Sequence, residues 1–171
     1  MKKFAAIFLL AALLAAPACA GAFTPFQLGI WGPDTQLCEQ GTPVWGLRLN
    51  LLKSQNDEVF GLDLGLLSRI GQADAISLNL VNDAVALKGA QFGIYNVVAR
   101  DAIGVQFGLY NIDESSIAGG QVGLVNLAQS VGGCQIGLFN RCISMNGIQV
   151  GLINIIEDAE VPFFPFVNAS F

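Results

Sequence analysis

The chain has 171 residues, of which 53% are hydrophobic and only 12% charged, and its formal net charge is −5 without a single histidine. An acidic chain with eight scattered cations has no electrostatic footprint for nucleic acid or for anionic lipid, and the missing histidine removes Ser-His-Asp and Cys-His nucleophiles along with the commonest metal ligand. So apolar a composition with so little charge points instead to a surface that meets something apolar.

The first predicted element is a secretory leader over residues 1–20. Lys2 and Lys3 supply the positive start, Phe4 to Ala16 the apolar stretch, and Ala18-Cys19-Ala20 a small-residue cleavage site. Ala16-Pro17-Ala18-Cys19 also loosely resembles a lipoprotein signal, in which Cys19 would carry the lipid. No later run reaches the roughly 18 uninterrupted apolar residues that a spanning helix needs. Loss of the leader leaves six cations against thirteen carboxylates, a net −7, on a single β-repeat domain, 21–171, long enough to bury a core.

That domain is a tandem repeat. Its clearest copies are Gln91-Phe92-Gly93-Ile94-Tyr95-Asn96, Gln106-Phe107-Gly108-Leu109-Tyr110-Asn111, Gln121-Val122-Gly123-Leu124-Val125-Asn126, Gln135-Ile136-Gly137-Leu138-Phe139-Asn140 and Gln149-Val150-Gly151-Leu152-Ile153-Asn154, with glutamines 15, 15, 14 and 14 apart. Weaker copies run backwards through Ser77 to Asn82, Asp63 to Ser68, Val44 to Leu47 and Gln27 to Ile30, and Phe163 to Asn168 falls in step at the other end. About ten short strands result, because apolar residues alternate with Gly or polar ones along each copy: Trp45, Leu47, Leu49 and Leu51 against Gly46, Arg48 and Asn50, for instance. Short polar segments such as Ser54-Gln55-Asn56-Asp57 read as turns.

Two all-β architectures use this pattern. In an antiparallel meander closing into a barrel-like sheet, a turn about Gln55 and Asn56 places Leu51 opposite Phe60, Leu49 opposite Leu62 and Leu47 opposite Leu64, and a turn centred on Gly71 pairs Leu66 with Ile76. In a β-solenoid with one repeat per coil, stacking aligns Asn96, Asn111, Asn126, Asn140 and Asn154 into a ladder. The alternating end of the chain, with Phe163, Val167, Ala169 and a terminal Phe171 on one side, resembles the closing strand of outer-membrane barrels, which makes Phe171 an assembly-signal candidate and the barrel-like meander the preferred expectation. Against it, the dependable apolar band per strand is shorter than the about 9 to 11 residues of a spanning strand.

The tandem Gln-x-Gly-Leu-x-Asn copies, the entry Val44-Trp45-Gly46-Leu47-Arg48-Leu49-Asn50-Leu51 followed by Gly61-Leu62-Asp63-Leu64-Gly65-Leu66, and the ending Pro162 to Asn168 resemble the bacterial surface-repeat proteins first noted in spirochaetes. The resemblance covers Phe23 to Phe171. It implies export and a β-repeat fold and supplies no catalytic residues.

Chemistry is sparse. Asp113-Glu114 and Glu157-Asp158-Glu160 form the carboxylate clusters; they have the chemistry for a hard cation such as calcium, but a solvated turn is the plainer reading. Arg48 and Asp63 lie on corresponding faces and suit a structural ion pair. Gly119-Gly120 and Gly132-Gly133 lack the Lys-Ser/Thr that a phosphate loop requires. Cleavage after Ala20 leaves Cys38, Cys134 and Cys142, of which Cys134 and Cys142 are the favoured disulfide. Tyr95, Tyr110 and Phe139 share one repeat position and would stack into a stripe able to meet a glycan or a partner, although ordinary packing accounts for them as well. The sequence thus reads as a non-enzymatic exported envelope or surface scaffold without a cofactor, associated with outer-membrane or envelope components and of unknown ligand; the alternative is a soluble periplasmic or secreted binding module that uses a stacked face.

Overall fold

The computed structural model describes Cys19 and residues 21–171, so the rest of the expected leader lies outside the described residues. The strands are β1 (Thr24–Trp31), β2 (Val44–Phe92), β3 (Tyr95–Val98), β4 (Ala102–Asp113), β5 (Ser116–Leu127), β6 (Ser130–Ile136), β7 (Phe139–Cys142), β8 (Ser144–Ile156) and β9 (Phe163–Ser170), with one 3-10 turn at Pro33–Thr35. From β1 to β8 every pairing between strands is parallel, and only β9 runs antiparallel, against β8. The chain is therefore a β-solenoid whose coils are single repeats.

Register follows the repeat residue for residue. Gln106 pairs with Gln121, Gly108 with Gly123 and Asn111 with Asn126, and the next coil continues with Gln135 and Asn140 and the one after with Gln149 and Asn154. The antiparallel meander and its barrel closure are accordingly not formed. Gly71, expected at the centre of a hairpin, stacks on Asp57 of the coil below, Gly65 stacks on Asn50 and Gly61 on Gly46. The leucines that coincide in a hairpin do alternate with polar residues, but the faces are the reverse of a barrel wall: Arg48, Asn50 and Asp63 are buried while Trp45, Leu51 and Leu66 are exposed.

The polar inner face explains why parallel stacking wins. Asn82, Asn96, Asn111, Asn126, Asn140 and Asn154 form a continuous ladder in which each Nδ2 donates to the next Oδ1 at 2.8 Å. Gln149, Gln135, Gln121, Gln106 and Gln91 form a second ladder that donates in the opposite direction along the axis, at 2.7 to 3.1 Å. A primary amide has both a donor and an acceptor, so identical rungs satisfy each other only when they lie one coil above another in register. An antiparallel turn would place Gln and Asn opposite leucines and strand their amides in a dry interior, at about 1–3 kcal/mol for each unpaired group.

Two glycine positions per repeat make room for this interior. A Cβ on Gly108 would meet the Asn96 Nδ2 at 2.6 Å, and Gly123 and Gly137 sit equally close to the ladder. Gly104, Gly119, Gly133 and Gly147 have φ between 138° and 154°, where a side chain would run into the carbonyl of the glycine below.

Toward the opposite edge the interior becomes apolar, with Leu87, Ala102, Ile117, Val131 and Met145 in one buried column and Ala84, Val98, Cys142 and Ile156 in another. Both ends of the stack are closed. At the start, the Gln27 amide donates to the Cys38 carbonyl and accepts from the Cys38 N–H, both at 2.9 Å. At the finish, β9 covers the last coil and its Phe164 carbonyl accepts from Asn154, which ends the asparagine ladder.

Candidate functional site

The residues that define the repeat are structural. Gln91, Gln106, Gln121, Gln135 and Gln149, together with Asn96, Asn111, Asn126, Asn140 and Asn154, have at most 1% of their surface exposed, and Gly93, Gly108, Gly123, Gly137 and Gly151 are the space through which the asparagines pass. Nothing outside can touch them. What the repeat presents outward is the pair of residues around each glycine and the one before each asparagine. Phe92, Phe107, Val122, Ile136 and Val150 form one outer column, Tyr95, Tyr110, Val125, Phe139 and Ile153 another, and Ile94, Leu109, Leu124, Leu138 and Leu152 occupy the bend between them.

These three columns wrap one edge of the solenoid, and the bend residues are 45% to 57% exposed. Between 89 and 156 the charged residues are Arg100, Asp101, Asp113, Glu114 and Arg141; the first four fall at the opposite edge, and Arg141 lies on the wall between, two residues beyond Phe139. The edge is therefore free of charge over five coils, and contiguous exposed apolar surface of this kind marks a place where a protein meets a partner, a ligand or a membrane. Several of its backbone groups are paired between coils. The Leu109 and Tyr110 N–H groups donate to the Ile94 carbonyl at 3.0 Å, and the Leu138 N–H donates to Leu124 at 3.0 Å and that of Ile153 to Leu138 at 2.9 Å. The Phe107 carbonyl accepts both from the Gly93 N–H and from the Asn96 side chain, each at 2.9 Å.

The aromatic positions are only partly continuous. Tyr95 and Tyr110 are neighbours with ring centres 6.3 Å apart, but Val125 separates them from Phe139, so the expected stripe is interrupted. A better aromatic platform lies in the next column, where Phe92 and Phe107 stack at 4.9 Å with planes 4° apart. Sequence inspection passes over this pair because it looks like ordinary alternation within two separate copies.

The carboxylates divide. Glu157 is a surface partner of Arg141, whose Nε donates to Oε1 at 2.7 Å. Asp113, expected in a solvated turn, instead points inward at the level of Val98 and Cys142, where Oδ1 accepts from the Ser115 N–H and Oδ2 has no partner. Burial pushes its pKa up from 3.8 to about 6, with Asp101 and Glu114 adding to the rise against the Ser115 hydrogen bond. Its place two residues after Asn111, on the same inward face, was a signal for this burial. Among the described residues no group of three or more His, Cys, Asp or Glu side chains is arranged to hold a metal ion.

Arg48 and Asp63 do form the expected ion pair, Nη1 to Oδ1 at 3.4 Å with both side chains fully buried inside the stack. Burial lowers the Arg48 pKa against the opposing field of Asp63.

The cysteines correct the expected bridge. Cys134 and Cys142 are free thiols, because Cys134 lies on β6 stacked on Gly120 while Cys142 lies in the buried column of the other face. The disulfide joins Cys19 to Cys38. Burial and the nearby Glu157 raise the Cys142 thiol to about 11, so it stays protonated and inert at neutral pH. Phe171 lies just beyond β9 and is 94% exposed.

No protein-family model, curated protein or solved structure matches this chain. Among the described residues no helix is long and apolar enough to cross a membrane.

Proposed function

We propose that this chain is a non-enzymatic, exported scaffold of the bacterial envelope that lies against the outer membrane by seating its apolar edge among lipid tails. The observation that carries this reading is the coincidence, on one edge, of three unbroken apolar columns with hydrogen bonds that tie the bend backbone from coil to coil. Hydrocarbon accepts apolar side chains but penalises every unpaired N–H and C=O by several kcal/mol, and in the turn from Phe107 to Tyr110 the Leu109 and Tyr110 N–H groups and the Phe107 carbonyl are paired within the stack. Seating is peripheral, to a depth of about 5–10 Å, as for other interfacial elements. The charged edge then faces water, in keeping with the likeness of the repeats to bacterial surface-repeat proteins.

The test is flotation with zwitterionic phosphatidylcholine–phosphatidylethanolamine vesicles. The wild-type protein is expected to float with the lipid and to do so equally at high salt, since attachment is apolar. The triple variant Leu109→Asp, Leu124→Asp, Leu138→Asp is expected to stay at the bottom with an unchanged far-UV spectrum. A wild-type protein that remains soluble and monomeric beside vesicles overturns the membrane reading. The stacked Phe92 and Phe107 rings favour one second reading, a soluble module that binds a flat apolar ligand such as a sugar ring face, for which loss of ligand capture in Phe107→Ala is the test.

A further inference from the structure

Two cleavage sites overlap at the leader's end. Ala16 and Ala18 place small residues three and one before a cut ahead of Cys19, and Ala18 and Ala20 do the same for a cut ahead of Gly21. The sequence pattern alone does not separate them, but the fate of Cys19 does. A cut ahead of Gly21 discards Cys19, whereas the structure bonds Cys19 to Cys38 with Cα atoms 5.3 Å apart, inside the range that a disulfide spans.

Cys38 is also held ready for that partner. It is 2% exposed, and the Gln27 amide fixes its backbone from both sides at 2.9 Å. Gln27 stands in the first coil at the level of Arg48, in the position that the ladder glutamines occupy later, so the stack's first inward amide serves to hold the loop that presents Cys38. The bridge thus pins the segment leading into β1 at the start of the solenoid.

We propose that the leader is removed between Ala18 and Cys19, and that Cys19, as the new first residue, is disulfide-bonded to Cys38 rather than lipidated. This rests on the export reading above. The chemistry is exchange: the two thiols lose two protons and two electrons, which pass to the disulfide of a dithiol oxidase of the exported compartment, and that disulfide is reduced to two thiols. Lipidation needs the same sulfur. A diacylglyceryl group on Cys19 forms a thioether and leaves Sγ no bond for Cys38.

The experiment is the intact mass and a non-reducing peptide map of the protein produced from the full chain in a Gram-negative host. The expected species begins at Cys19, is two hydrogens lighter than the all-thiol polypeptide, and yields a peptide pair linked through Cys19 and Cys38. A species beginning at Gly21, or one carrying a diacylglyceryl mass on Cys19, overturns the proposal while leaving export intact. One beginning at Met1 overturns the export reading itself. Ala16→Glu spoils only the earlier site and is expected to abolish the Cys19 form, whereas Ala20→Glu spoils only the later one and is expected to change nothing; the reverse pattern overturns the assignment.

Discussion

The first and the last coils of this solenoid wind the same path around different interiors. Up to about Asn82 the inward positions are occupied by unlike residues that complement one another. Asp63 accepts from Asn50 at 2.6 Å, from Asn79 at 2.8 Å and from Ser68, and pairs with Arg48, whose Nη1 also donates to Ser68 at 3.0 Å. From Gln91 onward the same positions hold identical amides that repeat without limit. The two regions meet at Asn79, which donates to both Asp63 and Asn82. An ion-pair cluster fits one set of neighbours and ends there, whereas an amide ladder offers each new coil the surface on which the previous one formed, so the periodic part can lengthen by copying and the aperiodic part fixes where it begins.

Breaking the cluster carries the largest expected effect. Asp63→Ala removes the common acceptor of four groups and leaves the Arg48 guanidinium buried without a counter-charge, a loss of about 3–5 kcal/mol; chemical denaturation should show this as a lower midpoint. Replacing the pair together, Arg48→Met with Asp63→Leu, should recover most of that loss, because the residual penalty belongs to the orphaned charge rather than to the missing attraction. A double variant as unstable as the single one would mean that the cluster's hydrogen bonds, not its charges, hold the first coils.

One rung of the ladder comes next. Asn126 donates to Asn140 at 2.8 Å and to the Ile136 carbonyl at 3.0 Å, and accepts from Asn111 at 2.8 Å. Asn126→Leu unpairs three buried groups and puts a larger apolar side chain beside Gly137, for a loss of about 3 kcal/mol. Amide hydrogen exchange should rise in β5 to β8 and stay low in β2, since each coil touches only its neighbours. Uniform deprotection of β2 as well would show that the two interiors form one cooperative unit.

Much of this division is legible in the sequence. The 14-to-15-residue spacing, the alternation and the recurring asparagine mark strands and coils, and the Arg48–Asp63 partnership follows from their matching positions. Sidedness was not legible. Strand logic assigns leucine faces to a core, and nothing local in Gln-x-Gly-Leu-x-Asn says that the chain bends at Gly-Leu, turning Leu109 outward and Asn111 inward although they are two residues apart. Only the closeness of coils, which leaves no room for a Cβ at Gly108, makes the bend and the ladder one feature. The Cys19–Cys38 bridge was hidden for another reason: the expected cut after Ala20 assigns Cys19 to the leader.

The smallest effect tests the one carboxylate buried within the periodic region. The group's pKa of about 6 lies above its ordinary 3.8, so the folded protein binds this proton more tightly than the unfolded chain does. That contribution to stability is complete below pH 3.8 and is lost as pH rises through 6. Asp113→Asn keeps an acceptor for the Ser115 N–H and removes the charge. The variant should therefore match the wild type near pH 4 and exceed it by about 1 kcal/mol at pH 7.5, a value kept below the full linkage because the edge is partly hydrated. Equal stability of the two proteins at both pH values would place the Asp113 carboxylate in water, and the inner column beside Val98 and Cys142 would then open at that coil.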